Sequence, residues 1–178
     1  MRAAIGLALI LGLITSPHID RSPDTIYKPA VDARVTCFFS PQGGCEKAIV
    51  DSIDAADIFI LIQAYSFTSK PITAALVSAC KRGVGVKVIF DKSNKGDNHG
   101  IMNELKKAGA SVYIDSKHAI AHNKLMILDN ELVITGSYNF TKSAEHYNAE
   151  NVVMIISEQI AKSYLENWWD HAAHCEVY

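Results

Sequence analysis

A single α/β domain, a mixed β-sheet flanked by helices on both faces, is the fold class that the amino-acid sequence predicts, and three observations lead there. From residue 34 onward, apolar runs of strand length alternate with segments of helical periodicity. Ile58-Phe59-Ile60-Leu61-Ile62 is apolar without interruption, the pattern of a strand covered on both faces. Later, Lys124–Leu128 and Leu132–Thr135 are apolar runs joined by Asp129-Asn130-Glu131, which reads as a hairpin turn. A hairpin introduces antiparallel pairing, so a purely parallel doubly wound sheet is excluded.

The elements follow in order. Arg34–Ser40 is a first strand, and Ala48, Ile49, Ile53 and Ala56 recur at the spacing of one helical face. Residues 57–65 form the second strand. Ser69 can cap a helix with Pro71 in its first turn, and Lys81-Arg82 followed by Gly83 marks its end. Residues 84–91 make a strand and 92–98 a polar loop. A further helix then turns Ile101, Leu105 and Ala108 inward and stops at Gly109. Ser111–Asp115 is a short strand, the hairpin follows, and residues 151–156 are another strand. Glu158–Trp169 closes the chain as an amphipathic helix carrying Ile160, Tyr164 and Trp168.

The chain has 178 residues, enough for one sizeable core and too few for two ordinary domains once a leader is subtracted. With 17 Lys+Arg against 19 Asp+Glu, there is no global cationic field, so any affinity for nucleic acid must come from local potential. Residues 1–16 read as an export signal: Met1-Arg2 is positive, and residues 3–13 form an apolar run too short to span a bilayer comfortably. Pro17 is a poor residue just after a cleavage site, so an uncleaved N-terminal membrane anchor stands beside the signal peptide as a second reading. Residues 17–33, with Pro17, Pro23 and Pro29, read as a tether, leaving 34–178 as the domain. The expected location is periplasmic or secreted, with membrane association through residues 3–13 if the leader stays.

Cysteine usage fits an oxidising compartment. Cys37 and Cys45 flank a turn-rich loop and are expected to form a disulfide, with two buried thiols as the alternative. Cys80 and Cys175 can pair or stay apart. His171-Ala-Ala-His174-Cys175 can be drawn as a metal cluster but lacks a second ligand group of recognisable spacing, so it is read as a frayed helix end and no metal site is assigned.

Chemistry concentrates between His122 and Asn151. On an extended strand, His122 and Lys124 point to one face, since side chains alternate with period two. An imidazole can attack phosphorus while an ammonium holds its oxygens. The run His122-x-Lys124-x4-Asp129-x6-Gly136-Ser137-x-Asn139 matches without a gap the signature of the phospholipase D superfamily, which this chain resembles over roughly residues 34–170. Gln63-Ala64-Tyr65-Ser66-Phe67-Thr68-Ser69 and Gly83-Val84-x-Val86-x-Val88 are similar to its single-motif branch, the Nuc-type endonucleases.

The resemblance implies a phosphodiesterase that needs two histidines on opposite sides of one phosphorus. His118 and His146 lack a lysine two positions on, so this chain supplies one, and a homodimer with a two-fold axis at the site supplies the other. One His122 would form a phosphohistidine while the partner's His122 protonates the leaving oxygen. Lys124 and Asn139 would hold the non-bridging oxygens, with Ser137 as a further donor or as a cap of the turn after Gly136. Glu150 occupies the family's place for a carboxylate that hydrogen-bonds the imidazole. Asp129, at the turn, is given a supporting role. No metal or other cofactor enters this scheme, and activity in the presence of EDTA is expected. Tyr65 and Phe67 can stack on a base or belong to the core, and Lys117 and Lys142 can track a phosphodiester backbone or simply be solvated. The leading expectation is a non-specific endonuclease acting on DNA, with RNA also open. The alternatives are a phospholipase D cleaving phosphatidyl head groups and a non-catalytic DNA-binding subunit of an export or uptake machine.

Overall fold

The computed structural model describes residues 33–178 except Asn98. The expected leader, and the expected tether up to residue 32, lie outside the described residues. Fourteen elements follow one another: β1 (Arg34–Ser40), α1 (Cys45–Ala55), β2 (Phe59–Ala64), α2 (Lys70–Arg82), β3 (Gly85–Asp91), α3 (Asn94–Asp97), α4 (His99–Lys107), β4 (Ser111–Asp115), β5 (Lys124–Leu128), β6 (Leu132–Gly136), α5 (Lys142–His146), β7 (Glu150–Ile156), α6 (Glu158–Ala172) and β8 (Glu176–Val177). The strands form one mixed sheet in the order β1-β7-β6-β5-β2-β3-β4-β8. β2, β3 and β4 are parallel, and every other pairing is antiparallel.

The chemistry of each boundary is the one the sequence announces. Ser69 caps α2 by accepting from the Ile72 amide at 3.2 Å, and Gly83 ends it in the left-handed region at φ 93°. Asp129 and Asn130 also lie in that region, at φ 50° and 59°, the conformation that a tight hairpin demands and that Asp and Asn tolerate.

Helices cover both faces of the sheet. On one side Ile49 and Ile53 of α1, Ile72 and Leu76 of α2, and Met102 and Leu105 of α4 meet Ile60, Ile62, Val88 and Met126. On the other side, among the described residues, α6 alone lies across Leu61, Ile89, Leu125, Ile127 and Val133 through Ala161 and Trp168. Trp168 is fully buried, and its indole N–H donates to the Ile62 carbonyl at 3.0 Å. Among the described residues no helix is long and apolar enough to cross a membrane.

Several expectations need correction. Cys37 and Cys45 are free thiols. Along β1, Phe38 packs toward the core that buries Cys45, so Cys37, one residue away, points to the opposite face of the sheet. Phe67 is fully buried between Phe90 and Phe140, with ring centroids 5.8 and 5.7 Å away, and belongs to the core rather than to a binding surface. Ile101 of α4 packs against the core as expected, and Met102, which the sequence reading left out, is fully buried beside Leu105. The polar stretch after β3 contains the short helix α3. The chain does not fray after Trp169, since α6 continues to Ala172 and β8 then pairs with β4.

The supporting role of Asp129 becomes concrete. Its carboxylate accepts the backbone amides of Asp57, Ile58 and Phe59 at 2.8, 2.8 and 2.9 Å, tying the β5–β6 hairpin to the entry of β2. Asp129→Ala strands these donors and places a Cβ-bearing residue without a compensating side-chain bond at φ > 0. A loss of about 1–3 kcal/mol is expected by urea denaturation, because solvent rehydrates the exposed amides in part.

Candidate active site

One end of the sheet gathers the start of β5, the end of β6 and the start of β7 around a pocket of about 580 Å³, lined among others by His122, Lys124, Ser137, Asn139 and Glu150. The carboxyl ends of the parallel strands β2 and β3 lie at the same end, where open α/β sheets place their ligands.

His122 sits just before β5 in extended chain, exposed to solvent. Its segment is fixed from both sides: the Ala121 amide donates to the buried Asp91 carboxylate at 2.7 Å, and the Tyr65 amide donates to the Asn123 carbonyl at 3.0 Å. Burial pushes the Asp91 carboxyl up, but the hydrogen bonds from Ser93 and Ala121 outweigh this and hold it below the usual range. The Tyr65 ring lies 4.5 Å from the imidazole, centroid to centroid, tilted by 54°. Tyr65 is thus engaged by the histidine itself and packs the candidate nucleophile. Among the described residues the His122 ring has no hydrogen-bond partner, so one ring nitrogen is free to attack and the other to be held.

Lys124 is buried, 8% exposed, and its ammonium turns back to donate to the His122 carbonyl at 2.8 Å while lying 4.9 Å over the Tyr65 ring. Burial pulls its pKa below the usual 10.5, and the Glu150 charge opposes that shift. If this cation holds phosphate oxygens, activity present at lower pH is lost as pH rises through the depressed pKa. In Glu150→Gln the raising influence disappears, and the alkaline limb of kcat/KM is expected to move to lower pH. A limb that stays in place would show that Lys124 does not set it.

Glu150 lines the pocket, but its Oε1 accepts from Asn148 at 3.0 Å and makes no bond to the imidazole within the single chain. The bond expected between these two side chains is therefore absent, and the carboxylate acts here on Lys124. Ser137 Oγ accepts from the backbone and side-chain nitrogens of Asn151 at 3.1 and 3.2 Å, which leaves its hydroxyl proton for a ligand. Asn139 stands in the loop after β6 rather than on a strand, with a buried Oδ1 that has no partner. Gly136 has a structural reason: a Cβ there would collide with the Asn151 carbonyl.

Lys117 and Lys142 are exposed and do not line the pocket. Asp91 and Tyr164 had no place in the motif. Asp91 was signalled by a charge ending the apolar run of β3, and Tyr164 lines the pocket from α6. A second constellation lies outside the motif: Asp115 and His118 stand against His171 and His174 at the end of β4.

Comparison with known proteins agrees with this geometry. The model of the family described as cardiolipin synthase, PLD-like domain, matches residues 49–171. The chain belongs to the phospholipase D superfamily. It falls in the Nuc-like, single-motif branch and is a phosphodiesterase-type hydrolase. The crystal structure of a phospholipase D family member, Nuc from Salmonella typhimurium, superposes with a TM-score of 0.79 at 39% identity, over 83% of this chain and 99% of that one. A protein named phospholipase D from Rickettsia typhi is 43% identical over 161 residues, covering 88% of this chain and 79% of the relative. A mitochondrial cardiolipin hydrolase from Xenopus tropicalis is 28% identical over 178 residues, covering 92% and 83%.

Proposed function

We propose that this superfamily member is an exported, non-specific endonuclease that cleaves DNA and RNA through a phosphohistidine, at a site completed by a second copy of the chain. The observation that carries this reading is the pocket itself. It is open, and the His122 imidazole and the partly desolvated Lys124 ammonium converge in it with the polar side chains of Ser137, Asn139 and Glu150 at a strand end, a set that suits a phosphodiester. Among the described residues no base-reading element lines it, so recognition falls on the sugar–phosphate backbone.

In the proposed reaction a nitrogen of His122 attacks phosphorus in line. The bond to the leaving oxygen breaks, and His122 of the partner subunit, as imidazolium, delivers the proton that oxygen needs. The partner's imidazole, now neutral, takes a proton from water. The resulting hydroxide attacks phosphorus, the phosphorus–nitrogen bond breaks, and a phosphate monoester leaves. Lys124 balances the charge on the non-bridging oxygens, and the Asn139 amide nitrogen donates to them. Two features support a shared site. His122 is the one imidazole lining the pocket among the described residues. Ile120 and Tyr147, 58% and 72% exposed, present apolar surface close in sequence to His122 and Glu150, as a face covered by a second copy would.

The 43% identity to a protein named phospholipase D keeps a second reading, hydrolysis of phosphatidyl head groups. Purified protein should therefore be given plasmid, single-stranded DNA, RNA and phosphatidylcholine vesicles in parallel, with His122→Ala as control. Nucleic-acid cleavage without choline release is the expected outcome. Choline release with intact nucleic acid would replace the nuclease by the lipase, and DNA retained without cleavage would leave a binding module.

A further inference from the structure

Away from the catalytic pocket, four residues with metal-binding side chains converge where the sequence suggested only a frayed end. Asp115 closes β4 and is fully buried; His118 lies three residues on in the loop leading to His122; His171 and His174 come from the last turn of α6 and just beyond it. One ligand atom from each lies within 4.8 Å of all the others. The spacings are regular, Asp-x2-His from one segment and His-x2-His from the other.

The distances suit one small ion. Asp115 Oδ2 lies 2.8 Å from His118 Nδ1, 3.3 Å from His171 Nδ1 and 3.5 Å from His174 Nε2. In a tetrahedron with metal–ligand bonds of about 2.0–2.1 Å the edges measure about 3.3 Å. The other carboxylate oxygen is already committed: Oδ1 accepts the backbone amides of Lys117 and His118, each at 3.1 Å, which aims Oδ2 at the imidazoles. His174 Nε2 is buried without a hydrogen-bond partner, and three imidazole rings stand with centroids 4.9, 5.1 and 5.5 Å apart. His118 and His171 can each donate an Nδ1–H to Asp115 Oδ2, at 2.8 and 3.3 Å, but His174 Nε2 is left over, and one shared cation would satisfy all three ring nitrogens and the carboxylate together.

We propose that Asp115, His118, His171 and His174 form a structural site for one zinc-class divalent ion. Imidazole and carboxylate donors suit that class, and four protein ligands leave no open position for a substrate. The ion would clamp the end of α6 to β4 and to the loop of residues 116–123, whose far end carries His122. It takes no part in phosphoryl transfer, so chelation loosens the scaffold and spares the chemistry.

The test uses the tag-free full chain, stripped by dialysis and titrated with Zn²⁺ and separately with Co²⁺. One equivalent per chain is expected, with the intense visible absorption of tetrahedral Co²⁺ and a Tm rise of about 10 °C at a thousandfold excess over Kd. His174→Ala and His118→Ala should each weaken binding at least about 100-fold, while His146→Ala, on a separate helix, should bind as wild type. Weak, octahedral Co²⁺ absorption in the wild type, an unmoved Tm, or equal affinity in the cluster variants would overturn the proposal. The wild-type spectrum decides even where a variant does not fold.

Discussion

Replacing His122 with alanine is expected to cut turnover by at least about 10⁴-fold without a measurable change in thermal stability, because in the proposed symmetric site one substitution removes both the nucleophile and the acid. The side chain is exposed, and its segment is held by backbone bonds to Asp91 and Tyr65 that alanine preserves. Loss of activity is therefore separable from loss of fold, by turnover and thermal denaturation on the same preparation. Mixing gives a sharper result. If two chains complete one site, co-refolding equal amounts of wild type and His122→Ala leaves about a quarter of the dimers with two imidazoles. Activity should then fall to about half of what the wild-type chains show alone. Undiminished activity after confirmed exchange would confine the site to one chain.

The largest effect on stability belongs to Trp168. Truncation to alanine empties the contact between α6 and the sheet and strands the Ile62 carbonyl that accepts the indole N–H, so a loss of about 3–5 kcal/mol is expected by urea denaturation. Trp168→Phe keeps much of the apolar area but loses the donor, and it should fall between alanine and wild type. The edge contact with Tyr113, at 6.2 Å between centroids, is weakened in both. Since α6 is, among the described residues, the sole helical cover of its face and also carries Tyr164 to the pocket, Trp168→Ala should lower activity in proportion to the unfolded fraction. A loss below about 1 kcal/mol would mean that the face repacks around the gap.

Much of this was legible in the residues because local chemistry and tertiary structure agree. Ser69, Pro71 and Gly83 bound α2 as helix signals should, and the Asp129-Asn130 turn joins β5 to β6 as its composition requires. The residues gathered in the candidate pocket were readable because His122, Lys124, Ser137 and Asn139 lie close in sequence with fixed spacing. What could not be read depends on distant encounters. Asp91 reaches Ala121 across the end of the sheet, and Asp115 meets His171 and His174 only after α6 has crossed one face and returned to β4. The expected Cys37–Cys45 bridge failed for a related reason: proximity along the chain says nothing about which face of β1 a side chain takes.

The bond from the Lys124 ammonium to the carbonyl of His122 joins two groups that are already neighbours in the chain. A short closed ring of this kind couples the ammonium to the stretch of main chain that carries the imidazole, so a displacement of one is passed to the other. Changes in the walls of the pocket that leave this ring intact therefore keep the ammonium with the backbone of His122.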